Sequence, residues 1–400
     1  MAQNNLNNRI KNVPDFNNTE IAFRGKSNEE LNRAYWLFKV IGSSFLTRLG
    51  PPIVNTAVRW GLPVVPLIRR TIFAQFCGGE TIGECDPTID QLARGGVGTI
   101  LDYSVEGEQQ ERSFIQTTEE TLSVIRKAKN DRRIPLTVFK PTGIARFELL
   151  KKVSAGSALT VAEEAEYFKV KARFNQICRL AYDLEVPVMI DAEESWIQDS
   201  IDDIAMEMMR MYNREKPIVY NTYQLYRNDK LASLKADVYL AETDGFLLGA
   251  KLVRGAYMEK ERERARRMGY PSPINVDKAA TDVQYDEALR FCVEHLTHVA
   301  FVAGTHNEKS CRLLANLIHE RELPHNHSHI YFAQLLGMSD NLSFNLGDAG
   351  YNVAKYVPYG PVKAVLPYLF RRAEENTSIA GQTGRELQFI ATEKERRRKH

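Results

Sequence analysis

Phe246-Leu247-Leu248-Gly249-Ala250-Lys251-Leu252-Val253-Arg254-Gly255-Ala256-Tyr257 is the stretch on which the fold turns. An apolar run too short for a helix ends abruptly in Arg-Gly-Ala-Tyr. A strand with one wet face alternates polar and apolar residues; a run apolar on both faces is a strand covered on both sides. Seven further runs share this character: 97–105, 136–139, 186–190, 218–226, 299–304, 330–336 and 353–358. Each is followed by a stretch long enough for a helix, such as 161–184, 195–214, 227–241 and 309–322. Eight strand–helix units predict an α/β chain folded as a (β/α)8 barrel. The rival is an open doubly wound sheet, but no GxGxxG follows any of the runs.

Outside the barrel, residues 1–20 read as a loose tail and 21–95 as a helical region. Ser27-Asn28-Glu29-Glu30 is a capping box, followed by Leu31, Ala34, Tyr35, Phe38 and Ile41 at helical spacing. The barrel is expected over 96–385, and 386–400, ending Arg396-Arg397-Arg398-Lys399, as a solvated basic tail. With 44% hydrophobic and 26% charged residues, the 400-residue chain is globular in composition. A net charge of only +2 speaks against a general nucleic-acid binder. The five cysteines are scattered without a CxxC, which suits a reducing compartment. The first residues show neither a secretory nor a transit pattern. The most apolar stretch, 49–68, is broken by Arg59 and four prolines, so no transmembrane helix is expected.

A barrel of this kind carries its active site at the C-terminal ends of the strands. The second run ends in Lys140, the third in Asp191-Ala192-Glu193-Glu194. The fourth carries Asn221 and Gln224, the fifth Lys251, Arg254, Gly255 and Ala256. The sixth ends in Thr305-His306-Asn307, the seventh carries Gln334, and the eighth Tyr356 and Tyr359. Lys and Arg at so many strand ends suit an anionic ligand, a carboxylate or phosphate. Gly255 and Ala256 would let backbone come close to a bulky one. From the residues alone, a Schiff-base aldolase using Lys140 or Lys251 fits, and so does a metal-assisted enzyme using Asp191, Glu193 and His306. The run His325-Asn326-His327-Ser328-His329 sits before the seventh strand, at the wrong end for the site, and no metal is assigned.

Lys-Leu-Val-Arg-Gly-Ala-Tyr at 251–257 and Tyr-Leu-Phe-Arg-Arg-Ala-Glu-Glu-Asn at 368–376 resemble the two signatures of the FAD-dependent proline dehydrogenases. Ile-Asp-Ala-Glu-Glu at 190–194, Gly-Thr-His-Asn at 304–307 and Tyr-Val-Pro-Tyr-Gly at 356–360 match in the same order. The resemblance spans about 20–390 and is closest to the stand-alone, mitochondrial-type branch. It implies a distorted (β/α)8 barrel with non-covalent FAD that oxidises L-proline to Δ1-pyrroline-5-carboxylate and passes electrons to a membrane quinone. A relative acting on 4-hydroxyproline is the alternative within the same scaffold.

The resemblance also implies site roles. Arg371 and Arg372 grip the substrate carboxylate, joined by Lys140. Asp191 orders the pocket, and Tyr356, Tyr368 and Tyr257 wall the substrate ring, with Leu252 beneath. FAD contacts fall on Asn221, Lys251, Arg254, Gly255, Ala256, Thr305, His306 and Gln334. Lys251 stands near the flavin where many bacterial members have Arg, a point charge in place of a fork. Glu108 is the expected gate, with Glu106 the alternative. Glu193 and Glu194 are read as ion-pair partners. The expected location is cytoplasmic, or mitochondrial in a eukaryote, with peripheral membrane contact through the basic tail or the stretch 51–68.

Overall fold

The computed structural model describes residues 13–41, 60, 63–105, 110–378 and 382–399, and only the backbone of 41, 373–378 and 382–383. All eight runs are strands: β1 Gly98–Tyr103, β2 Thr137–Phe139, β3 Val188–Ile190, β4 Val219–Gln224, β5 Leu248–Val253, β6 Val299–Gly304, β7 Ile330–Leu335 and β8 Val353–Tyr359. They form one sheet in the order β1-β8-β7-β6-β5-β4-β3-β2. β1 runs parallel to β8, with Ile100 opposite Tyr356. First and last strands are neighbours in a (β/α)8 barrel and not in the doubly wound order, so this pair decides between the two.

The helices follow in chain order: α1 Thr19–Phe23, α2 Asn28–Ile41, α3 Asp86–Arg94, α4 Glu111–Lys129, α5 Phe147–Ser154, α6 Val161–Leu184 and α7 Ser195–Tyr212. Then come α8 Lys230–Asp244, α9 Met258–Met268, α10 Lys278–Glu294, α11 Glu308–Glu320, α12 Asp340–Asp348, α13 Leu366–Ser378 and α14 Gln382–Lys399. The longest, α6, begins at a capping box in which Thr160 and Glu163 satisfy each other's backbone N–H groups. No helix among the described residues is long and apolar enough to cross a membrane.

The chain divides into two compact units, 107–333 with 1–13, and 14–106 with 334–400. In the first, β2 to β7 pair in sequence, each parallel to the next. The register sets Thr222 beside Lys251 and Tyr223 beside Leu252. The Tyr223 hydroxyl donates to Asp237 on α8 (2.7 Å), so the row holding Tyr223 and Leu252 faces the helices. Lys251, one residue from Leu252, then faces the other way, as does Gln224, two residues beyond Thr222.

In the second unit, Phe23, Leu31, Phe38, Phe76, Leu369 and Ile390 form an apolar core joining the N-terminal helices to α13 and α14. Parts of both expected tails are packed. Phe16 is fully buried and Asn18 caps α1, so these residues are not loose. The basic C-terminal residues belong to α14. Arg396 and Arg397 pair with the buried Glu393 at 2.9 and 2.7 Å. Arg397 also donates to the carbonyls of Phe23 and Lys26. A guanidinium that donates to carbonyls at and just past the end of α1 is an anchor rather than a solvated charge.

Candidate active site

In the unit 107–333, the site begins with Lys140. Pro141 follows it and disfavours helical backbone, which keeps Lys140 extended (φ −100°, ψ 126°) at the end of β2. Asp191 follows β3, and its N–H donates to Phe139 O (3.0 Å). The Asp191 carboxylate lies between Lys251 Nζ at 2.6 Å and Lys140 Nζ at 3.4 Å. Burial alone would raise this carboxyl. The charges of Lys251 and Lys140 outweigh it and hold Asp191 below its ordinary value. One anion between two cations leaves a net positive charge in a buried place, which favours an anionic ligand.

Two residues on, Glu193 joins four chain segments. Its Oε1 accepts from Thr142 Oγ1 (2.7 Å) and Thr142 N (3.3 Å), and its Oε2 from the Tyr257 hydroxyl (2.8 Å). Its own N–H donates to Gln198 and its carbonyl accepts from Gln224 Nε2, both at 2.7 Å. Gln224 Oε1 in turn accepts from Ala256 N (3.2 Å). The expected ion pair holds for Glu194, 3.0 Å from Lys260, but Glu193 is bound to neutral groups. Burial and the nearby Glu194 charge push Glu193 up to about 7.

Arg254 and Thr305 are brought together. The guanidinium donates to Thr305 Oγ1 (2.7 Å) and Ser310 Oγ (3.0 Å), pairs with Asp282 at 2.7 Å and lies over the Tyr285 ring. Asp282 therefore offsets much of the charge that Arg254 was expected to offer a ligand. His306 is half-buried at the end of β6.

Two expectations in this unit are corrected, and a third residue has a packing role of its own. Asn221 donates to Asp202 on α7 (2.8 Å) and shares its strand face with Tyr223, so it points to the helices and not into the site. Leu252 lies on that same helix-facing row and does not floor a pocket. Gly255 has φ +133°, and a Cβ there would come within 2.5 Å of the Tyr226 ring. That packing by itself requires the glycine. Gln224, noted at the end of the fourth run but given no role there, is the residue to add. Alternation alone excludes Asn221 and Gln224 from one strand face, and the partnership of Thr222 with Lys251 selects Gln224.

The unit of 14–106 and 334–400 carries the other residues that the sequence singled out. Tyr356 is buried on β8, on the face opposite Lys355, whose ammonium pairs with Asp340 at 2.9 Å. On α13, Tyr368 and Arg372 stand one turn apart, both buried, with the guanidinium 5.1 Å from the ring centroid. Arg371, its helix neighbour, is half-buried. Gln334 is buried and its Oε1 accepts from Ser343 Oγ (2.8 Å), an internal partner where a cofactor contact was expected. Glu106 and Glu108 lie outside the described residues, as do 51–59, 61 and 62 of the expected membrane-contact stretch.

The family model described as Proline dehydrogenase matches residues 85–385. Proline dehydrogenase 1, mitochondrial, of Dictyostelium discoideum is 32% identical over 437 residues, covering 98% of this chain and 76% of that one. Hydroxyproline dehydrogenase of Xenopus laevis is 29% identical over 94% of this chain and 88% of that one. Among solved structures, proline utilization A from Bdellovibrio bacteriovorus shares the fold with a TM-score of 0.70 at 19% identity. The likeness covers 90% of this chain, which spans only 38% of that longer one. With its signature segments on the strand ends and on α13, and a family match over most of its length, the chain belongs to the proline dehydrogenase family.

Proposed function

We propose that this protein is an oxidoreductase that converts L-proline to Δ1-pyrroline-5-carboxylate with non-covalent FAD, its electrons passing to a quinone. The family match across 85–385 carries this reading. FAD, when bound, supplies a two-electron acceptor for the hydride leaving the ring carbon. Gln224, Lys251, Thr305 and His306 are the side chains that would hold it. An amide, a hydroxyl, an imidazole and a cation fit the carbonyl and phosphate oxygens of a flavin nucleotide. The cysteines fit a non-covalent mode, since all five are buried and burial pushes Cys77, Cys178, Cys292 and Cys311 away from the reactive thiolate.

The protein's own part is position and charge. Arg371 and Arg372 would grip the substrate carboxylate, as two forks suit it. Tyr368 beneath Arg372 fixes that guanidinium and presents an apolar ring. Asp191 fixes the two lysines. The substrate nitrogen must be neutral before hydride leaves the adjacent carbon, so flavin reduction should accelerate with rising pH. Membrane contact is peripheral in this reading, and electrostatic attachment would weaken with salt.

The deciding experiment is spectral. The purified protein should be yellow, and anaerobic L-proline should bleach it. Bleaching by trans-4-hydroxy-L-proline as fast as by proline would move the assignment to the hydroxyproline enzyme. A colourless protein that gains no flavin spectrum with added FAD would end the flavin reading.

A further inference from the structure

We propose that Glu193 is a positioning residue for this reaction, aiming the Tyr257 hydroxyl oxygen at the substrate ammonium as a hydrogen-bond acceptor. The proposal rests on the proline reading and on Tyr257 lining the substrate ring. Geometry carries it. Glu193 Oε1 is occupied by the N–H and hydroxyl of Thr142, so its other oxygen is the one that meets Tyr257. While Glu193 is ionised, Tyr257 must donate to it, and the phenol oxygen turns its lone pairs outward. A protonated Glu193 carries its proton on the oxygen facing Tyr257. The phenol then accepts from Glu193, and its own O–H points away as a donor. A proline ammonium brings only donors, so it is matched in the first state and opposed in the second.

The surroundings make this switch available near neutrality. The charged groups around Glu193 are Lys140 and Asp191, which pair together, and Glu194, which pairs with Lys260. Lys251 is engaged by Asp191. Glu261 of α9 accepts from the N–H and hydroxyl of Ser195. With those ions matched to one another, burial dominates and lifts Glu193 to about 7.

The test compares two ligands on the holoenzyme. Tetrahydro-2-furoic acid has oxygen where proline has its ring nitrogen, so it keeps the carboxylate and lacks the ammonium. Proline affinity comes from the concentration dependence of anaerobic flavin reduction, and furoate affinity from flavin absorbance. Neither free ligand titrates near neutrality. In the wild type, proline affinity should rise as pH passes up through about 7, and furoate affinity should not. Glu193→Gln should weaken proline about tenfold, the worth of one charge-assisted hydrogen bond, and leave furoate nearly unchanged. The pH rise should vanish. Equal loss for both ligands, or a persisting pH rise, overturns the proposal while the proline reading stands. Wild-type flavin that proline does not reduce overturns both. Should Glu193→Gln fail to fold, Tyr257→Phe decides: a proline-to-furoate ratio that still varies with pH removes the link.

Discussion

At the scale of the residue, buried charge is the dominant physics. Asp191 stands between two ammonium groups, and each of the three depends on the others. Asp191→Ala would remove the carboxylate that Lys140 and Lys251 share, at a cost of about 3–5 kcal/mol. Chemical denaturation would measure it, and an unchanged midpoint would refute the triad. Because the folded carboxyl is held below its ordinary value, the stabilisation is present above the unfolded pKa and is lost as pH falls through the folded one. Arg372→Met should weaken proline binding by about 2–5 kcal/mol, as expected for removing one partner of a buried charge pair, while FAD stays bound. A near-normal Michaelis constant would remove Arg372 from the carboxylate clamp. Tyr356→Ser tests ring selectivity. A tyrosine over the substrate ring leaves little room for a 4-hydroxyl, which would also forfeit water at about 1–3 kcal/mol if unpaired. The ratio of kcat/KM should shift towards hydroxyproline, mostly by hurting proline; an unchanged ratio would show that Tyr356 does not line the pocket.

At the scale of the element, α14 is the segment whose role changes most. It reads as a charged tail, yet it buries Ile390, Glu386 and Glu393. Glu386 accepts from Ser339 N (2.7 Å), tying α14 to the start of α12. Burial, with the Asp340 charge adding to it, raises Glu386 to about 7. The folded state therefore holds a proton that the unfolded chain has released, and stability falls as pH rises from the ordinary carboxyl range towards 7. Glu386→Gln should remove this share of the slope, about 3 kcal/mol at most. Tm measured across that pH window would show it. A slope identical to wild type would mean that Glu386 is ionised throughout.

At the scale of the whole molecule, the cysteines report on both units together. Cys77 and Cys85 belong to one unit, Cys178, Cys292 and Cys311 to the other, and all five are buried and free of disulfides. A thiol reagent should label none in the native protein and all five after denaturation. Rapid native labelling of any one would show local opening around it. The same experiment with FAD added separates cofactor effects on each unit, since Cys311 lies at the start of α11, directly after the Thr305-His306 segment.

The sequence by itself determined the eight strands and their order along the chain, because each is a short, largely apolar run bounded by polar ends. It also determined the signature segments, since these are contiguous. Tertiary structure alone decided which strand-end residues share a face. Asn221 and Gln224 look equivalent as polar residues in one run, and only the register against Lys251 separates them. Gly255 reads as room for a ligand until Tyr226, distant in sequence, fills the space. The partners of Glu193 come from the ends of three other strands, and no local pattern announces them. The basic terminus looks solvated because its neutralising Glu393 and the carbonyls of Phe23 and Lys26 are brought to it by folding. Periodicity is a local property of the chain; pairing of buried charges and hydrogen bonds is a property of contacts between segments far apart.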